Sequence, residues 1–177
     1  MEEKSYKEYL HKINTFIFDV DGVLTDGKVL VRTNGDQERS MNIKDGYALK
    51  TAVDAGYHVC IISGGSNEGV RKRLKGLGLE DIHLGVSQKT EVLENYMETH
   101  NLLPEQIVYM GDDIPDYHVM QKVGMPCCPQ DAVAEIKSIS KYISHKNGGE
   151  GAVRDIIEQV MKVHGKWGVG NTDAQIA

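Results

Sequence analysis

Cysteine is scarce in this sequence, and the few cysteines follow no disulfide or metal-binding pattern. The chain of 177 residues has three, Cys60, Cys127 and Cys128. An odd number with two adjacent residues does not form a disulfide framework, which favours a reducing compartment. Since no Cys-x-x-Cys pair is present, a zinc site is not indicated. We interpret Cys127-Cys128 as part of a buried edge strand.

Long apolar runs and an excess of positive charge are also absent. The N-terminal segment MEEKSYKEYLHKI has the features of neither a signal peptide nor a membrane span. The net charge of −6 disfavours nonspecific binding to nucleic acids and membranes, because both are negatively charged. We therefore expect a cytoplasmic protein that binds neither.

The length and composition predict one domain of ordinary size. Domains commonly contain ~100–200 residues, and a chain that is 40% hydrophobic can bury a substantial core. We predict a single domain over residues 1–165 and a flexible C-terminal tail over residues 166–177.

Apolar segments alternate with segments of helical periodicity along most of the chain. Strands are predicted at Thr15–Val20, His58–Ser63, Asp81–Gly85, Gln106–Gly111, Met125–Cys128 and Lys141–Ser144. Helices are predicted at Gly46–Ala55, Asn67–Leu77, Lys89–His100, Asp116–Val123, Asp131–Ser138 and Gly151–His164. Strand followed by helix, repeated, predicts an α/β fold with a Rossmann-like, doubly wound, mostly parallel sheet.

One segment interrupts this alternation. Residues 28–42, KVLVRTNGDQERSMN, alternate in polarity around Asn34-Gly35, which is a strong hairpin turn signal. We predict a small β-hairpin insertion after the first strand, too short to form a second domain.

Carboxylates lie at the ends of the first and fourth predicted strands. In the stretch FIFDVDGVLTDG, residues 16–27, the first strand ends in Asp19-Val20-Asp21, and Asp112 follows the strand that ends at Gly111. Ligands of an open parallel sheet bind beyond the carboxyl ends of its strands. Crowded carboxylates raise one another's pKa unless a cation intervenes. Asp19, Asp21 and Asp112 therefore predict a Mg²⁺ site, since Mg²⁺ prefers hard oxygen ligands.

Two other segments predict phosphate binding at the same edge. The second predicted strand ends in Ser63-Gly64-Gly65, and glycines allow backbone amides to approach an anion near a helix N-terminus. Lys89 opens the helix after the third strand and supplies a positive charge. Magnesium, lysine and amide donors are the components that bind a phosphoryl group and stabilise its developing charge.

The acids suggest phosphoryl transfer through a covalent intermediate. A carboxylate in line with phosphorus can attack it and form an aspartyl-phosphate. Metal-bound Asp19 would stay ionised, whereas Asp21 could protonate the leaving oxygen and later deprotonate water. Asp113 and Asp116 either support this site or cap the following helix.

Other functions share some of these features. A signalling receiver also has acids, a hydroxyl group and a lysine at strand ends, but its phosphorylated acid lies on a later strand than its acid pair. A non-catalytic oligomerisation module would not need the intact set of charged residues. A phosphomutase normally carries a cap that retains its intermediate.

Four motifs, in the same order, resemble those of the haloacid dehalogenase superfamily: FDVDGVLTDG, Ser63, Lys89 and GDDIPD. The resemblance covers residues 13–165. Within the superfamily, the hairpin leading to NIKDGYAL, the segments IISGG and MGDDIPD, and GGEGAVRDIIEQV are similar to the 3-deoxy-D-manno-octulosonate 8-phosphate (KDO 8-phosphate) phosphatase family. Those enzymes act in lipopolysaccharide precursor synthesis.

The resemblance implies a Mg²⁺-dependent phosphatase without a cap domain. It implies Asp19 as the nucleophile and Asp21 as the general acid/base. Mg²⁺ would bind the Asp19 carboxylate, the Asp21 main-chain carbonyl and Asp112, while Ser63 and Lys89 hold the phosphoryl group. It also implies a homotetramer that is assembled by the hairpins, with a neighbouring subunit partly covering each active site.

The substrate of such an enzyme is a sugar acid phosphate, and several residues are candidates for contacting it. Arg71 and Arg73, on the helix after the phosphate loop, could bind a carboxylate bidentately. Lys44 and Asp45, after the hairpin, are candidates for the sugar, and Gly65 would leave room near the phosphate. A nonulosonate 9-phosphate presents the same phosphate and carboxylate and remains an alternative substrate.

Overall fold

The computed structural model describes residues 5–169. Its strands are β1 (Thr15–Phe18), β2 (Leu30–Val31), β3 (Gln37–Glu38), β4 (His58–Ile62), β5 (Asp81–His83), β6 (Ile107–Met110), β7 (Met125–Cys128) and β8 (Tyr142–Ile143). Its α-helices are α1 (Ile43–Asp54), α2 (Glu68–Gly76), α3 (Lys89–His100), α4 (Tyr117–Met120), α5 (Ala134–Ile139) and α6 (Ala152–Val163). Each predicted strand and helix therefore has an observed counterpart.

Six strands form one sheet in the order β5-β4-β1-β6-β7-β8. Every neighbouring pair is parallel, which confirms the predicted doubly wound α/β fold. The strand order reverses at β1, which pairs with β4 on one side and with β6 on the other. Because ligands of such sheets bind beyond the carboxyl ends at this switch point, the segment after β1 is placed for function.

Both faces of the sheet are buried, which explains the continuous apolar runs. Phe16 and Phe18 belong to a hydrophobic cluster with α1, α2 and α6, whereas Ile17 belongs to a second cluster with α3 and α4. Successive residues of a strand point to opposite faces, so a strand covered by helices on both sides is apolar at every position.

The start of α1 differs from the prediction. The helix begins at Ile43 rather than Gly46, because the Asn42 side chain accepts a hydrogen bond from the Lys44 N–H and caps it there. Gly46 is a buried position inside the helix, where a β-carbon would lie 2.8 Å from Arg73 Nη2. The glycine therefore serves close packing, although the pattern suggested a helix start.

The interpretation of Cys127-Cys128 as an edge strand was wrong. Both residues are buried in β7, but β8 pairs outside β7 and forms the edge on this side of the sheet, with β5 at the other edge. The edge strand is only two residues long, which limits its exposed backbone hydrogen-bonding groups. All three cysteines are free and buried.

The predicted hairpin is confirmed. Strands β2 and β3 pair antiparallel, with Leu30 opposite Glu38, and Gly35 has φ +89° in the turn. Within residues 5–169 this hairpin is the only insertion between β1 and α1, and no cap domain is present in that range.

The predicted tail is described only in part. Trp167 packs edge-on against Tyr47, with ring centroids 5.9 Å apart, and the Arg154 guanidinium lies 5.3 Å from the Trp167 ring. The remainder of the tail, residues 170–177, lies outside the described residues. No helix in the described part of the chain is long and apolar enough to cross a membrane.

Candidate active site

A cavity of about 510 Å³ opens at the carboxyl ends of β1, β4 and β6. It brings together most of the predicted site residues: Asp19, Asp21, Ser63, Gly64, Gly65, Lys89 and Asp112. These residues are separated by up to about a hundred positions in sequence, and the parallel sheet brings their loops to one edge.

Asp19 follows β1 directly and is buried. Its Oδ1 accepts a hydrogen bond from the Val20 N–H at 2.6 Å, and its Oδ2 accepts one from Lys89 Nζ at 2.7 Å. Burial, followed by the charge of Asp116, raises the pKa of Asp19 to about 6, although Lys89 acts in the opposite direction. The carboxylate is therefore held in one orientation at the floor of the cavity.

Lys89 bridges two buried carboxylates. Its Nζ lies 2.7 Å from Asp19 Oδ2 and 2.7 Å from Asp116 Oδ1. Burial alone would lower the pKa of Lys89, but the charges of Asp116 and Asp19 raise it. The ammonium group consequently stays protonated in the cavity and offsets part of its negative charge.

Asp116 supports the site, which decides one of the alternatives that the sequence left open. Its Oδ1 also accepts a hydrogen bond from the Tyr109 hydroxyl at 2.9 Å, and its Oδ2 accepts one from the Asp112 N–H at 3.2 Å. Asp113 instead accepts a hydrogen bond from the Ile114 N–H at 2.8 Å and caps the turn that follows.

Sequence reasoning missed Tyr109. This residue lies in the apolar strand Ile107–Met110, where the pattern indicates a core position. Tyr109 is fully buried, and its hydroxyl needs a partner, which Asp116 provides. The only signal in the sequence was the hydroxyl itself, and it did not reveal the partner.

Of the three carboxylates of Asp19, Asp112 and Asp116, that of Asp112 has the fewest partners in the described part of the chain. Its side chain makes no hydrogen bond within residues 5–169, and burial together with the charges of Asp116, Asp19 and Asp113 raises its pKa to about 8. It lies against Gly22, whose φ is +85°, and a β-carbon on Gly22 would overlap the Asp112 carboxylate.

The acidic cluster has the composition of a divalent cation site. Asp19, Asp112 and Asp116 each offer a carboxylate oxygen, and these oxygens lie within 4.8 Å of one another. Lys89 is the one cation that hydrogen-bonds to the cluster in the described part of the chain. Because this leaves an excess of negative charge among hard oxygen ligands, the residues present fit Mg²⁺.

The Asp21 side chain pairs with Arg39, a partner that the sequence did not suggest. Arg39 Nε donates to Asp21 Oδ1 at 2.7 Å, and Arg39 Nη2 donates to Asp21 Oδ2 at 3.0 Å. Arg39 follows β3 directly, and the alternating pattern of this segment predicted only a β-hairpin. The pairing arises because the hairpin folds back over the loop that follows β1.

The segment Ser63-Gly64-Gly65, which we predict to bind phosphate and call the phosphate loop, is ordered by neighbouring backbone groups. Ser63 is buried, its Oγ accepts a hydrogen bond from the Gly65 N–H at 3.3 Å, and its carbonyl accepts one from the Val86 N–H at 3.0 Å. Helix α2 begins only at Glu68, with Asn67 as its N-cap. The helix dipole acts mainly within the first turn, so it contributes less at Ser63 than we expected.

The predicted carboxylate partners on α2 lie outside the cavity. Arg71 donates to the Ile82 carbonyl at 3.0 Å and to Glu68 Oε1 at 3.1 Å. Arg73 instead lines a neighbouring cleft of about 800 Å³ between α2 and the hairpin, together with Arg39. Of the two arginines, only Arg73 therefore faces a cleft next to the site.

The two predicted sugar contacts after the hairpin also lie elsewhere. Lys44 is exposed and lines a cleft between α1 and α6. Asp45 is buried, its Oδ1 accepts a hydrogen bond from the Arg154 N–H at 2.9 Å, and burial raises its pKa to about 6. Asp45 thus caps the N-terminus of α6, and the structure does not bring it to the catalytic cavity.

Comparison with known proteins agrees with this geometry. Residues 81–157 match the haloacid dehalogenase-like hydrolase family. The sequence is 34% identical over 154 residues to the 3-deoxy-D-manno-octulosonate 8-phosphate phosphatase KdsC of Salmonella typhi, covering 87% of this chain and 82% of that protein.

Two solved structures are also similar. The phosphatase of the same name from Yersinia pestis superimposes with a TM-score of 0.89 at 29% identity, covering 92% of this chain and 88% of that one. The phosphatase from Moraxella catarrhalis, in complex with magnesium, phosphate and KDO, has a TM-score of 0.85 at 29% identity, with coverage of 89% and 90%.

The parallel sheet, with an Asp-x-Asp pair after its first strand and a Lys–Asp pair at neighbouring strand ends, defines a haloacid dehalogenase-like hydrolase. The sequence identity to KdsC over most of the chain defines the family more narrowly. The chain belongs to the 3-deoxy-D-manno-octulosonate 8-phosphate phosphatase family.

Proposed function

We propose that the protein hydrolyses KDO 8-phosphate to KDO and inorganic phosphate, with Mg²⁺ as cofactor, in the cytoplasm and as a step of lipopolysaccharide precursor synthesis. The observation that carries this proposal is the buried Asp19–Lys89–Asp116 bridge beside the unpaired carboxylate of Asp112. Similarity to phosphatases of this specificity over most of the chain supports the choice of substrate.

The first chemical step transfers the phosphoryl group to Asp19. An Asp19 carboxylate oxygen attacks phosphorus, the bond from phosphorus to the sugar oxygen breaks, and Asp21 donates its proton to that oxygen. Bound Mg²⁺, held by Asp19, Asp112 and the main-chain carbonyl of Asp21, would stabilise negative charge on the phosphoryl oxygens. Lys89 adds a fixed positive charge, and Ser63 supplies a hydroxyl group to the phosphoryl oxygens.

The second step releases phosphate and restores the protein. Asp21 accepts a proton from a water molecule that attacks phosphorus, and the bond from phosphorus to Asp19 breaks. Asp19 returns as a carboxylate and Asp21 returns protonated, so the sum is ester plus water giving sugar acid plus phosphate. The tight hydrogen bonds of Asp19 keep the nucleophile oriented through both steps.

A panel of substrates tests the proposal. We expect kcat/KM with Mg²⁺ to be highest for KDO 8-phosphate when eight- and nine-carbon keto-acid phosphates and hexose phosphates are compared. Preference for a nonulosonate 9-phosphate would support the alternative substrate, and preference for hexose phosphates would contradict both. Absence of turnover with every ester would favour a non-catalytic oligomerisation module. Such a module would not need Asp19, Lys89 and Asp112, which are all present.

Metal dependence of stability should follow from the crowded carboxylates. A pKa raised to about 8 at Asp112 means that the folded protein binds a proton more tightly than the unfolded chain does. Without metal, stability should therefore fall as pH rises from about 4 to about 8, a window set by the ordinary carboxylate pKa and the raised one. We expect the unfolding temperature in EDTA to decrease over this range.

Mg²⁺ should counter that decrease, because the cation replaces the proton among the ligands. Differential scanning fluorimetry should show a larger Mg²⁺-induced increase in unfolding temperature at pH 8.5 than at pH 6. Asp112→Asn should reduce this increase, whereas an equal increase in the variant and the parental protein would contradict a site at Asp112.

Arg73 is the candidate that we retain for the sugar carboxylate. It lies on the cleft between α2 and the hairpin, next to the cavity that holds Asp21. Arg73→Ala should raise KM for KDO 8-phosphate about tenfold with kcat nearly unchanged, because it removes a charged hydrogen bond in binding. Lys72→Ala on the same helix is the matched control, and equal KM values for the two variants would remove Arg73 from the pocket.

We also propose a homotetramer assembled through the hairpin. Leu30 and Val31 of β2 are 63% and 62% exposed, and Ile43 at the start of α1 is 76% exposed. Leu30 and Val31 are consecutive in β2, and exposed apolar side chains of this size support an interaction surface. Light scattering after size-exclusion chromatography should give the mass of a tetramer, and Leu30→Lys should lower it. A monomeric parental protein would contradict the proposal.

A further inference from the structure

We propose that Arg39 is a positioning residue that orients Asp21, and that it thereby couples the β-hairpin to the protonation of the leaving group. The inference rests on the proposed function, in which Asp21 is the general acid/base. It concerns a hairpin residue that no motif of the sequence singled out.

The contact between the two side chains fixes the carboxylate in both rotation and tilt. Arg39 donates to both oxygens of Asp21, through Nε at 2.7 Å and through Nη2 at 3.0 Å. Such a two-point pairing matches the planar fork of arginine and restricts the carboxylate plane. Each carboxylate oxygen has a second lone pair, so one remains on each for a proton or for the substrate.

The arginine is itself braced by the hairpin and by α2. Its Nη1 donates to the Gln37 carbonyl at 3.1 Å, so every guanidinium nitrogen has a hydrogen bond. The Asn67 side-chain amide donates to the same carbonyl at 2.8 Å, and the Asn67 Oδ1 caps α2 by accepting from the Val70 N–H. The Gln37 carbonyl therefore links the N-terminus of α2 to Arg39, the residue that pairs with Asp21.

The backbone of the phosphate loop leaves space for this pair. A β-carbon on Gly65 would lie 3.1 Å from Asp21 Oδ2 and 3.5 Å from Arg39 Nη2. The Arg39 side chain is only 9% exposed, whereas that of Asp21 is 39% exposed. The guanidinium thus stands behind the carboxylate, and the carboxylate faces the cavity.

The reactivity of the ester series should reveal this role. An ester whose leaving group departs as a stable anion needs little protonation, whereas a sugar alkoxide needs a well-placed acid. The ratio kcat/KM reports steps up to release of the alcohol, so the later hydrolysis of the phosphoenzyme does not affect it. Mispositioning of Asp21 should therefore harm the poorer leaving groups selectively.

The experiment measures kcat/KM with Mg²⁺ for substituted phenyl phosphates and for KDO 8-phosphate. Arg39→Met should lower the value for KDO 8-phosphate about 10²-fold, the usual cost of misplacing a catalytic group, and that for p-nitrophenyl phosphate only slightly. The dependence of log kcat/KM on leaving-group pKa should become steeper, in the same direction as for Asp21→Asn.

Arg32→Met is the matched control. Arg32 belongs to the same hairpin and pairs with Glu38 at 2.7 Å on its exposed side. This variant removes the same charge from the same segment and should keep the parental slope. Arg39→Lys, which retains charge without the planar fork, should give a partial steepening, and it also serves if Arg39→Met does not fold.

Each remaining outcome decides a separate point. An equal loss for every ester in Arg39→Met, with a parental slope, would overturn the positioning role and leave a structural one. A higher KM for KDO 8-phosphate with unchanged kcat would assign Arg39 to substrate binding and also overturn it. A Mg²⁺-induced increase in unfolding temperature equal to that of the parental protein should show that the metal site is intact. Loss of turnover with all esters in the parental protein would contradict the proposed function itself.

Discussion

Asp19→Asn should lower kcat for the phosphate ester by about 10⁴-fold or more, because removal of a covalent nucleophile leaves only binding and electrostatic contributions. The substitution keeps the shape of the side chain, and its one amide oxygen can accept the hydrogen bond of either the Val20 N–H or Lys89, which donate to different oxygens of Asp19. Acid quenching during turnover of a ³²P-labelled substrate should trap labelled protein in the parental enzyme and none in the variant.

The stability of this variant separates loss of chemistry from loss of fold. Burial raises the pKa of Asp19 to about 6, so its charged form carries a cost in the folded protein at neutral pH. Asp19→Asn removes this cost but loses one of the two hydrogen bonds, so its urea midpoint at neutral pH should stay close to that of the parental protein. Parental turnover in a folded variant would rule out Asp19 as the nucleophile.

Gly22→Ala should remove the metal-dependent activity through a steric effect. Gly22 has φ +85°, and an added β-carbon would overlap the Asp112 carboxylate, so either Asp112 or the loop after β1 must move. The backbone strain costs about 1–3 kcal/mol of unfolding free energy. Displacement of a metal ligand should lower kcat/KM by about 10²-fold or more. Urea unfolding and steady-state kinetics with a Mg²⁺ titration measure the two effects.

Gly56→Ala is the matched control for the backbone effect. Gly56 has φ +86°, almost the same as Gly22, but an added β-carbon would meet nothing within 4 Å. Backbone strain should lower the unfolding free energy of the control by a similar amount. The control should keep its activity and its Mg²⁺ dependence. If Gly22→Ala and Gly56→Ala had the same kinetics, the close approach of Gly22 to Asp112 would have no functional consequence.

These two predictions depend on the same electrostatic condition. The carboxylates of Asp19, Asp112 and Asp116 lie close together, and burial raises the pKa of Asp19 and Asp112. Lys89 offsets part of their charge and fixes two of them in place. A site that is unfavourable while empty gains stability from a cation, which links folding to readiness for catalysis.

Several features of the fold could be predicted from local patterns. Nearly continuous apolar runs such as FIFDV indicated parallel strands covered on both faces, and helix α3 has the predicted bounds Lys89–His100. Asn34-Gly35 indicated the hairpin. Predicted helix boundaries were wrong where a side chain sets them. Asn42 caps α1, so the helix begins at Ile43, three residues before Gly46, where the sequence pattern predicts its start.

The candidate site was predicted to a lesser extent. Clustered acids, a glycine-rich turn and a lysine in the right order indicated phosphoryl chemistry, because charged residues that follow apolar strands must share one edge of a parallel sheet. The sugar contacts could not be predicted in the same way. Asp45 is a charged residue close to the hairpin, which suggested that it binds the sugar, but its side chain caps α6 instead.

The sequence by itself determined the order of strands and helices, the carboxylates at the strand ends and the chemistry that they can perform, since these depend on residue type and near neighbours. Only the tertiary structure decided which groups meet: Tyr109 with Asp116, Arg39 with Asp21, and Gly22 with Asp112. Contacts between residues distant in sequence are set by how helices and loops pack on the sheet, and no local pattern encodes the partner of a buried hydroxyl or of a hairpin arginine.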